Sequence, residues 1–163
     1  MLVWVKMFSL NLLYSSFSAD ELLAKLKPLK TSSSAAVVIR WEYAACPRFV
    51  EYALLQAFKS FESGKASAKS LELEWLCKLA LTTNVANALQ KTKPQGKCIA
   101  LATVNLPLST EELCKLGAPC CKSPALLNVG GKFLKTQYEI TDAALATYSL
   151  EEMLIETAAV ENI

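Results

Sequence analysis

The chain of 163 residues contains no histidine. Because histidine is the base of Ser-His-Asp and Cys-His sites and a frequent metal ligand, these catalytic sites and histidine-based metal sites are excluded. The glycine-rich patterns G-x-G-x-x-G and G-x-x-x-x-G-K-[ST], which form common phosphate cradles, are also missing. Carboxylate pairs such as Glu72 and Glu74 are two residues apart and point to different faces of a helix. The sequence therefore predicts a protein that is not an enzyme and that uses no cofactor.

The six cysteines form no C-x-x-C motif, which argues against a tetrahedral zinc site, and we expect no bound metal. Cys77 and Cys98 lie among apolar residues and are predicted to be core residues. Cys114, Cys120 and Cys121 form a cluster that could hold one disulfide. Such a bond would suit an oxidising compartment or the cytoplasm of a hyperthermophile.

Long apolar runs are absent as well. No segment approaches the roughly 18 apolar residues that a membrane span requires, and Lys6 interrupts the apolar start in a way that argues against a signal peptide. The chain is 53% apolar, with only five glycines and six prolines. We expect one domain over residues 1–163 with a substantial core, a cytoplasmic location and no membrane contact.

Hydrophobic periodicity and capping signals predict an alternation of strands and helices. The predicted strands cover residues 3–12, 36–41, 98–104 and, after a Gly130-Gly131 turn, 133–140. The predicted helices cover residues 19–27, 47–63, 71–81, 85–90, 110–116 and 150–160. This order predicts a mixed α/β, α+β-like single domain, in which about six helices cover a mostly antiparallel or mixed sheet of four to five strands.

Charge is distributed unevenly along the chain. Residues 137–163 carry six acidic residues and no basic one, whereas residues 1–136 carry all 17 basic residues and nine acidic ones. A basic body with an acidic end suits two different macromolecular partners. The alternative is an ordinary surface with unevenly placed charges.

A lysine-rich middle provides the candidate nucleic-acid surface. Backbone N–H groups at the helix starts near Ser70 and Asn84 add donors that phosphates can use. The candidate RNA-binding residues are Lys59, Lys65, Lys69, Asn84 and Lys91. The simpler interpretation of scattered lysines is a solvated helical face.

The terminal helix is the candidate protein interface. Leu150, Met153 and Leu154 begin one apolar stripe, and Ile155 widens the apolar surface beyond it. A helix that is apolar on more than one face is either deeply buried or exposes an apolar surface that another protein can cover. These four residues are therefore the candidate partner-binding residues, with burial in the chain's own core as the alternative.

Residues 47–89 resemble the central block of the small kinase-binding subunit of the KEOPS complex, known in animals as the PRPK-binding protein. Members of this family carry an alanine-rich helix, a G-K-x-x-x-[KR]-x-L block, an acidic-apolar helix and an I-S-E-A-L-like helix. The matching segment here reads ALLQAFKSFESGKASAKSLELEWLCKLALTTNVANAL. The tail segments YEIT and SLEEMLIETAAVENI are also similar to the family. The chain departs from the family pattern at Thr83, Ala86 and Asn87, where many relatives have a basic residue, serine and glutamate.

The resemblance implies a mixed α/β subunit that binds and regulates the small atypical kinase of the complex and, through the kinase, contacts the catalytic threonylcarbamoyl transferase subunit. It also implies help in recruiting tRNA by its single-stranded CCA end, for formation of N6-threonylcarbamoyladenosine. The sequence leaves two alternatives open. One is a redox-responsive thiol protein that uses Cys114, Cys120 and Cys121, and the other is a purely structural subunit that does not touch RNA.

Overall fold

A computed structural model describes residues 7–120 and 122–160. Within these residues the chain forms an α+β fold with eight α-helices and a four-stranded sheet. The strands are β1 (Phe8–Tyr14), β2 (Ala35–Arg40), β3 (Cys98–Val104) and β4 (Ala118–Pro119). The helices are α1 (Ala19–Leu26), α2 (Pro47–Glu62), α3 (Leu71–Ala80), α4 (Val85–Thr92), α5 (Thr110–Leu116), α6 (Pro124–Gln137), α7 (Asp142–Leu145) and α8 (Leu150–Val160).

The sheet has the strand order β2-β3-β1-β4, and every pair is antiparallel. Leu12 lies opposite Ala100, and Ala100 lies opposite Ile39. Because side chains alternate along a strand, these three residues share one face of the sheet and their chain neighbours share the other. The predicted α+β-like class with a mostly antiparallel or mixed sheet of four to five strands is confirmed, and the sheet has four strands.

One face of the sheet supports the larger of two hydrophobic cores, which we call the large core. Its biggest fully buried side chains come from the helices and the 3₁₀ segment Trp41–Ala45, and include Tyr43, Phe49 and Trp75. The indole Nε1 of Trp75 donates a hydrogen bond of 3.0 Å to the backbone oxygen of Val50. This bond satisfies the indole donor and ties α3 to α2.

The opposite face supports the small core, formed by Leu13, Val38, Ile99 and Leu101 of the strands with residues of α1 and α5. Helix α1 contributes Leu22 and Leu26, both fully buried. Helices α1 and α5 both begin with a capping box, as Ser18 with Glu21 and Ser109 with Glu112. Local capping signals therefore start both helices that cover this face.

The predicted strand over residues 133–140 is wrong, because this stretch lies mostly in helix α6. Ser123 caps α6 by accepting from the backbone N–H of Leu126, and Pro124 occupies its first turn. The supposed turn at Gly130-Gly131 lies inside the helix. A Cβ on Gly130 would stand 3.0 Å from the backbone oxygen of Glu42, so glycine here permits close packing of α6 on residues 41–45.

Other differences are smaller. The predicted first strand over residues 3–12 begins in the described region at Phe8 and extends to Tyr14, and its first four residues lie outside the described residues. The predicted loop at 117–123 contains the two-residue strand β4, and α7 was not predicted. None of the helices in residues 7–120 and 122–160 is both long and apolar enough to cross a bilayer.

Candidate anion-binding site

A cavity of about 430 Å³ lies where the end of α2, the segment before α3 and the end of α8 meet. We call it the basic pocket. Its lining combines three lysines with five hydroxyl-bearing side chains. The lining residues are Tyr52, Gln56, Lys59, Ser60, Ser63, Lys65, Ser67, Lys78, Thr83, Ala158 and Ala159.

The end of α2 positions two of the pocket lysines. Lys59 lies in the last turn of α2, and Lys65 follows Gly64, which has a φ of +68°. The Lys65 backbone N–H donates to Ser60 O at 2.8 Å and the Gly64 N–H donates to Phe61 O at 3.2 Å, which together form a Schellman motif. The chain reverses at this point, so Lys65 lines the same cavity as Lys59.

The third lysine comes from α3 and is neutralised. Lys78 Nζ lies 3.2 Å from Glu74 Oε1, and both side chains are buried. The other carboxylate oxygen, Glu74 Oε2, accepts from the backbone N–H groups of Ser67 and Ala68, each at 2.9 Å. Glu74 therefore holds the segment before α3 and compensates the charge of Lys78 at the pocket wall.

Lys59 and Lys65 keep their positive charge uncompensated. Among the described residues, neither forms an ion pair, and the pocket lining contains no carboxylate. Both side chains are exposed. Two free ammonium groups beside several hydroxyls supply the donors that a phosphate or another oxyanion requires.

The five predicted RNA-binding residues do not form one site. The basic pocket brings Lys59 and Lys65 together, while Lys69 is exposed and does not line it. The Asn84 side chain caps α4 by accepting from the Asn87 N–H at 3.1 Å. Lys91 Nζ donates to the backbone oxygen of Ala80 at 3.3 Å and so stabilises the end of α3.

Sequence reasoning missed the parts of the pocket that come from distant segments. Tyr52 and Thr83 line it, as do Ala158 and Ala159 of α8. The available signal was the six-residue spacing of Lys59 and Lys65 around the helix stop at Gly64, which brings two lysines to one helix end. No local pattern links α8 to this place.

The predicted interface residues of α8 differ in exposure. Leu154 is fully buried in the large core, so it offers no surface to a partner while α8 stays in place. Leu150, Met153 and Ile155 are half-buried and pack against the same core. Glu151 accepts from the Arg48 backbone N–H at 2.6 Å, so α8 also caps the start of α2.

Two cysteines of the sequence cluster, Cys114 and Cys120, lie within the described residues. Cys114 is exposed on α5, and Cys120 follows β4; both thiols are free. Cys121 lies outside the described residues. The Cys120 Sγ lies 3.8 Å from the Sγ of Cys98. In residues 7–120 and 122–160 there is no group of three or more potential metal-binding side chains.

A second cavity, of about 540 Å³, lies between α1, β2, α3 and α4. Its lining is mostly apolar and includes Val37, Leu73, Leu76 and Leu89. At its rim, Lys30 Nζ is paired with Glu72 Oε1 at 2.8 Å. We call it the apolar cavity, and its chemistry differs from that of the basic pocket although α3 lines both.

Comparison of the chain with known family models finds no match, and comparison with curated proteins finds none either. The resemblance to the KEOPS kinase-binding subunit therefore stays a prediction from the sequence blocks.

Proposed function

We propose that this chain is a non-catalytic, cytoplasmic subunit of a KEOPS-type tRNA-modification complex. In this proposal it binds the small atypical kinase of the complex and holds the single-stranded CCA end of tRNA. The observation that carries the RNA part is the basic pocket, because Lys59 and Lys65 meet there without an acidic partner. Both lysines belong to the segment whose blocks resemble the family.

The pocket has the chemistry that single-stranded RNA requires. Single strands are bound by positive charge along the backbone and by flat side chains on which bases stack. Lys59 and Lys65 supply the charge, and the half-buried ring of Tyr52 is the aromatic group in the lining. A cavity of about 430 Å³ is large enough for a nucleotide rather than a duplex.

The RNA proposal is tested by measuring the affinity of full-length tRNA for the wild type and for Lys59→Ala/Lys65→Ala. We expect the double variant to bind more weakly and its log–log salt dependence to be shallower by about 1.4, since each single-strand phosphate contact contributes about 0.7. A tRNA trimmed of its CCA end should bind the wild type more weakly than the intact tRNA does.

The matched control is Lys27→Ala/Lys97→Ala, which removes the same charge from lysines outside the pocket lining. It should retain most of the affinity and the preference for intact tRNA. An equal loss of tRNA affinity in both double variants would show that the effect comes from net charge and not from the basic pocket. Equal binding of trimmed and intact tRNA would rule out an acceptor-end site.

The kinase part of the proposal depends on the half-buried residues of α8. A pull-down with the purified kinase should capture the wild type, and Ile155→Glu should weaken the complex by about 2–4 kcal/mol if the helix is an interface anchor. Val129→Glu, at an exposed apolar position of α6, is the control and should bind normally. Circular dichroism of both variants separates lost binding from lost folding, and unchanged binding by a folded Ile155→Glu removes α8 from the interface.

A further inference from the structure

Two cysteines that are 22 positions apart in the sequence meet on one face of the sheet. The Sγ atoms of Cys98 and Cys120 are 3.8 Å apart, and both side chains are half-buried. Cys98 begins β3, and Cys120 directly follows β4. The central strand β1 lies between β3 and β4, so the two thiols approach each other across it.

The register of the sheet explains this approach. Cys98 lies opposite Tyr14 and shares the large-core face with Ala100. The backbone N–H of Cys120 donates to Leu12 O at 2.9 Å, and the Cys120 side chain packs against the same core. Backbone pairing thus places both cysteines on one face of the sheet, and their proximity does not depend on side-chain rotation alone.

The other described cysteines have no comparable neighbour. Cys46 and Cys77 are buried in the large core, and Cys114 is exposed on α5. Among residues 7–120 and 122–160, no other pair of cysteine thiols is in hydrogen-bonding contact. Among the described cysteines, the pair in contact thus includes Cys98, which lies outside the sequence cluster.

We infer that Cys98 and Cys120 form a redox-modifiable pair, which a two-electron oxidant of the peroxide class converts to a disulfide that joins β3 to the end of β4. The Cys120 thiol loses its proton, and its thiolate attacks one oxygen of hydrogen peroxide, which breaks the O–O bond and gives a sulfenic acid and a hydroxide; the released proton converts this hydroxide to one water. The sulfur of Cys98 then attacks the sulfenic sulfur, loses its proton and expels a second water. Two thiols are oxidised, one peroxide is reduced, and no further reactant is consumed.

The geometry requires only a small movement. A disulfide bond is about 2.05 Å long, so the sulfur atoms must approach by slightly less than 2 Å. The segment that moves is weakly held, because β4 pairs with β1 through only two residues, Ala118 and Pro119. The bond would close the loop of residues 98–120, which contains α5.

The rate of the reaction should depend strongly on pH. Burial, and next the hydrogen bond with Cys120, raise the pKa of the Cys98 thiol to about 11. The thiolate is the reactive form, so Cys98 is a slow resolving thiol at neutral pH and a faster one as the pH approaches that pKa. We expect the yield of cross-link at a fixed time to increase continuously from pH 7 to pH 10.

The experiment treats the full-length protein with hydrogen peroxide, blocks remaining thiols and digests it with trypsin and a glutamate-specific protease without reduction. Trypsin alone leaves Cys98 and Cys114 on one peptide, whereas cleavage after Glu111 or Glu112 separates them. Mass spectrometry should find the peptide that begins at Cys98 linked to the peptide of residues 116–122. This link should disappear in Cys98→Ser and persist in Cys114→Ser and Cys121→Ser.

A second measurement covers the case in which a variant folds poorly. The oxidised wild type should unfold several degrees higher than the reduced protein, because a closed loop restricts the unfolded chain. Cys98→Ala should lose this difference, and Cys114→Ser should keep it. A link from Cys114 or between Cys120 and Cys121, or an absence of any link under conditions that modify Cys114, would overturn the inference. Because both thiols lie outside the basic pocket, neither result depends on the proposed RNA function.

Discussion

The two faces of the sheet are covered in different ways. The large core is built from long-range packing, with Trp75 of α3, Phe49 of α2 and Leu154 of α8 arriving from separate parts of the chain. The small core is covered by two short helices, α1 and α5, and each begins with a complete capping box. Side-chain caps start helices on both faces, as Ser149 and Glu152 do for α8, so the faces differ mainly in how much long-range apolar burial each supports. The basic pocket is made of helices from the first face.

The largest expected effect comes from opening the large core. Trp75→Ala removes a fully buried side chain and its hydrogen bond to Val50 O, so we expect a loss of about 3–5 kcal/mol in the free energy of unfolding. Urea denaturation monitored by far-UV circular dichroism measures this change. A loss below 1 kcal/mol would contradict the assignment of Trp75 to the centre of the core.

The matching change on the other face is Leu26→Ala. Leu26 is fully buried in the small core, and the substitution should cost toward the lower end of about 2–5 kcal/mol. The variant should retain the tRNA affinity of the folded protein, because α1 does not line the basic pocket. A folded Leu26→Ala variant with strongly reduced affinity would show that the two faces are coupled.

The next test separates the two neighbouring glycines of α6. Gly130→Ala should destabilise the protein by about 1–3 kcal/mol, because the new Cβ would lie 3.0 Å from the Glu42 backbone oxygen. Gly131→Ala should be neutral or stabilising by up to about 1 kcal/mol, because its nearest neighbour would be Leu150 Cδ2 at an ordinary 3.5 Å and alanine favours a helix. Thermal unfolding of both variants measures the difference, and equal effects would contradict the close packing of α6.

The smallest effect concerns the capping boxes of the small-core helices. The hydrogen bond from the Ser109 backbone N–H, followed by that from its side chain, lowers the pKa of Glu112 below its ordinary value of 4.5. A lowered folded pKa gives stability that is present above pH 4.5 and is lost as the pH falls through the folded pKa. Glu112→Gln should therefore unfold at a slightly lower temperature than the wild type at pH 7, and the difference should shrink at acidic pH.

The control for this titration is Glu156→Gln, an exposed glutamate of α8 that forms no ion pair among the described residues. It removes the same charge without removing a capping interaction. A thermal unfolding series from pH 3 to pH 7 distinguishes the two. An identical pH dependence in both variants would show that the capping box contributes nothing beyond net charge.

Short-range signals explain which parts of the fold follow from the sequence. Helices α1 and α5 were predicted within one residue of their observed ends, because Ser18 and Ser109 begin them with short-range signals. Helix α6 was missed because Gly130 and Gly131 look like a turn when read locally. Glycine fits inside the helix there because Gly130 packs closely against the backbone oxygen of Glu42. Glu42 lies in the segment that joins β2 to α2, far away in the chain.

The candidate site, like the fold, was predictable from the sequence only where its residues lie close together in the chain. Lys59 and Lys65 could be connected through the helix stop at Gly64, whereas Thr83 and Ala158 reach the pocket only through the packing of α3 and α8 on α2. The roles of Asn84 and Lys91 depended on which backbone atoms lie nearby, and both turned out to bond to helix ends. Proximity across long sequence separations was the missing information in each case, as it was for Cys98 and Cys120.

The short length of β4 has a consequence for association with other chains. An unpaired sheet edge is a template on which a foreign strand can add and start aggregation. Here the edge strand next to β1 is β4, which has only two residues, and one of them is Pro119, which has no N–H to donate. At the other edge, β2 is buried along all but its last residue, Arg40. Because β4 pairs only with Leu13 and Tyr14, the rest of this side of β1 has no strand partner among the described residues, although Leu10 O accepts from Lys122 Nζ and Leu12 O accepts from the Cys120 N–H. Addition of a foreign strand is therefore expected along β1 rather than along β2.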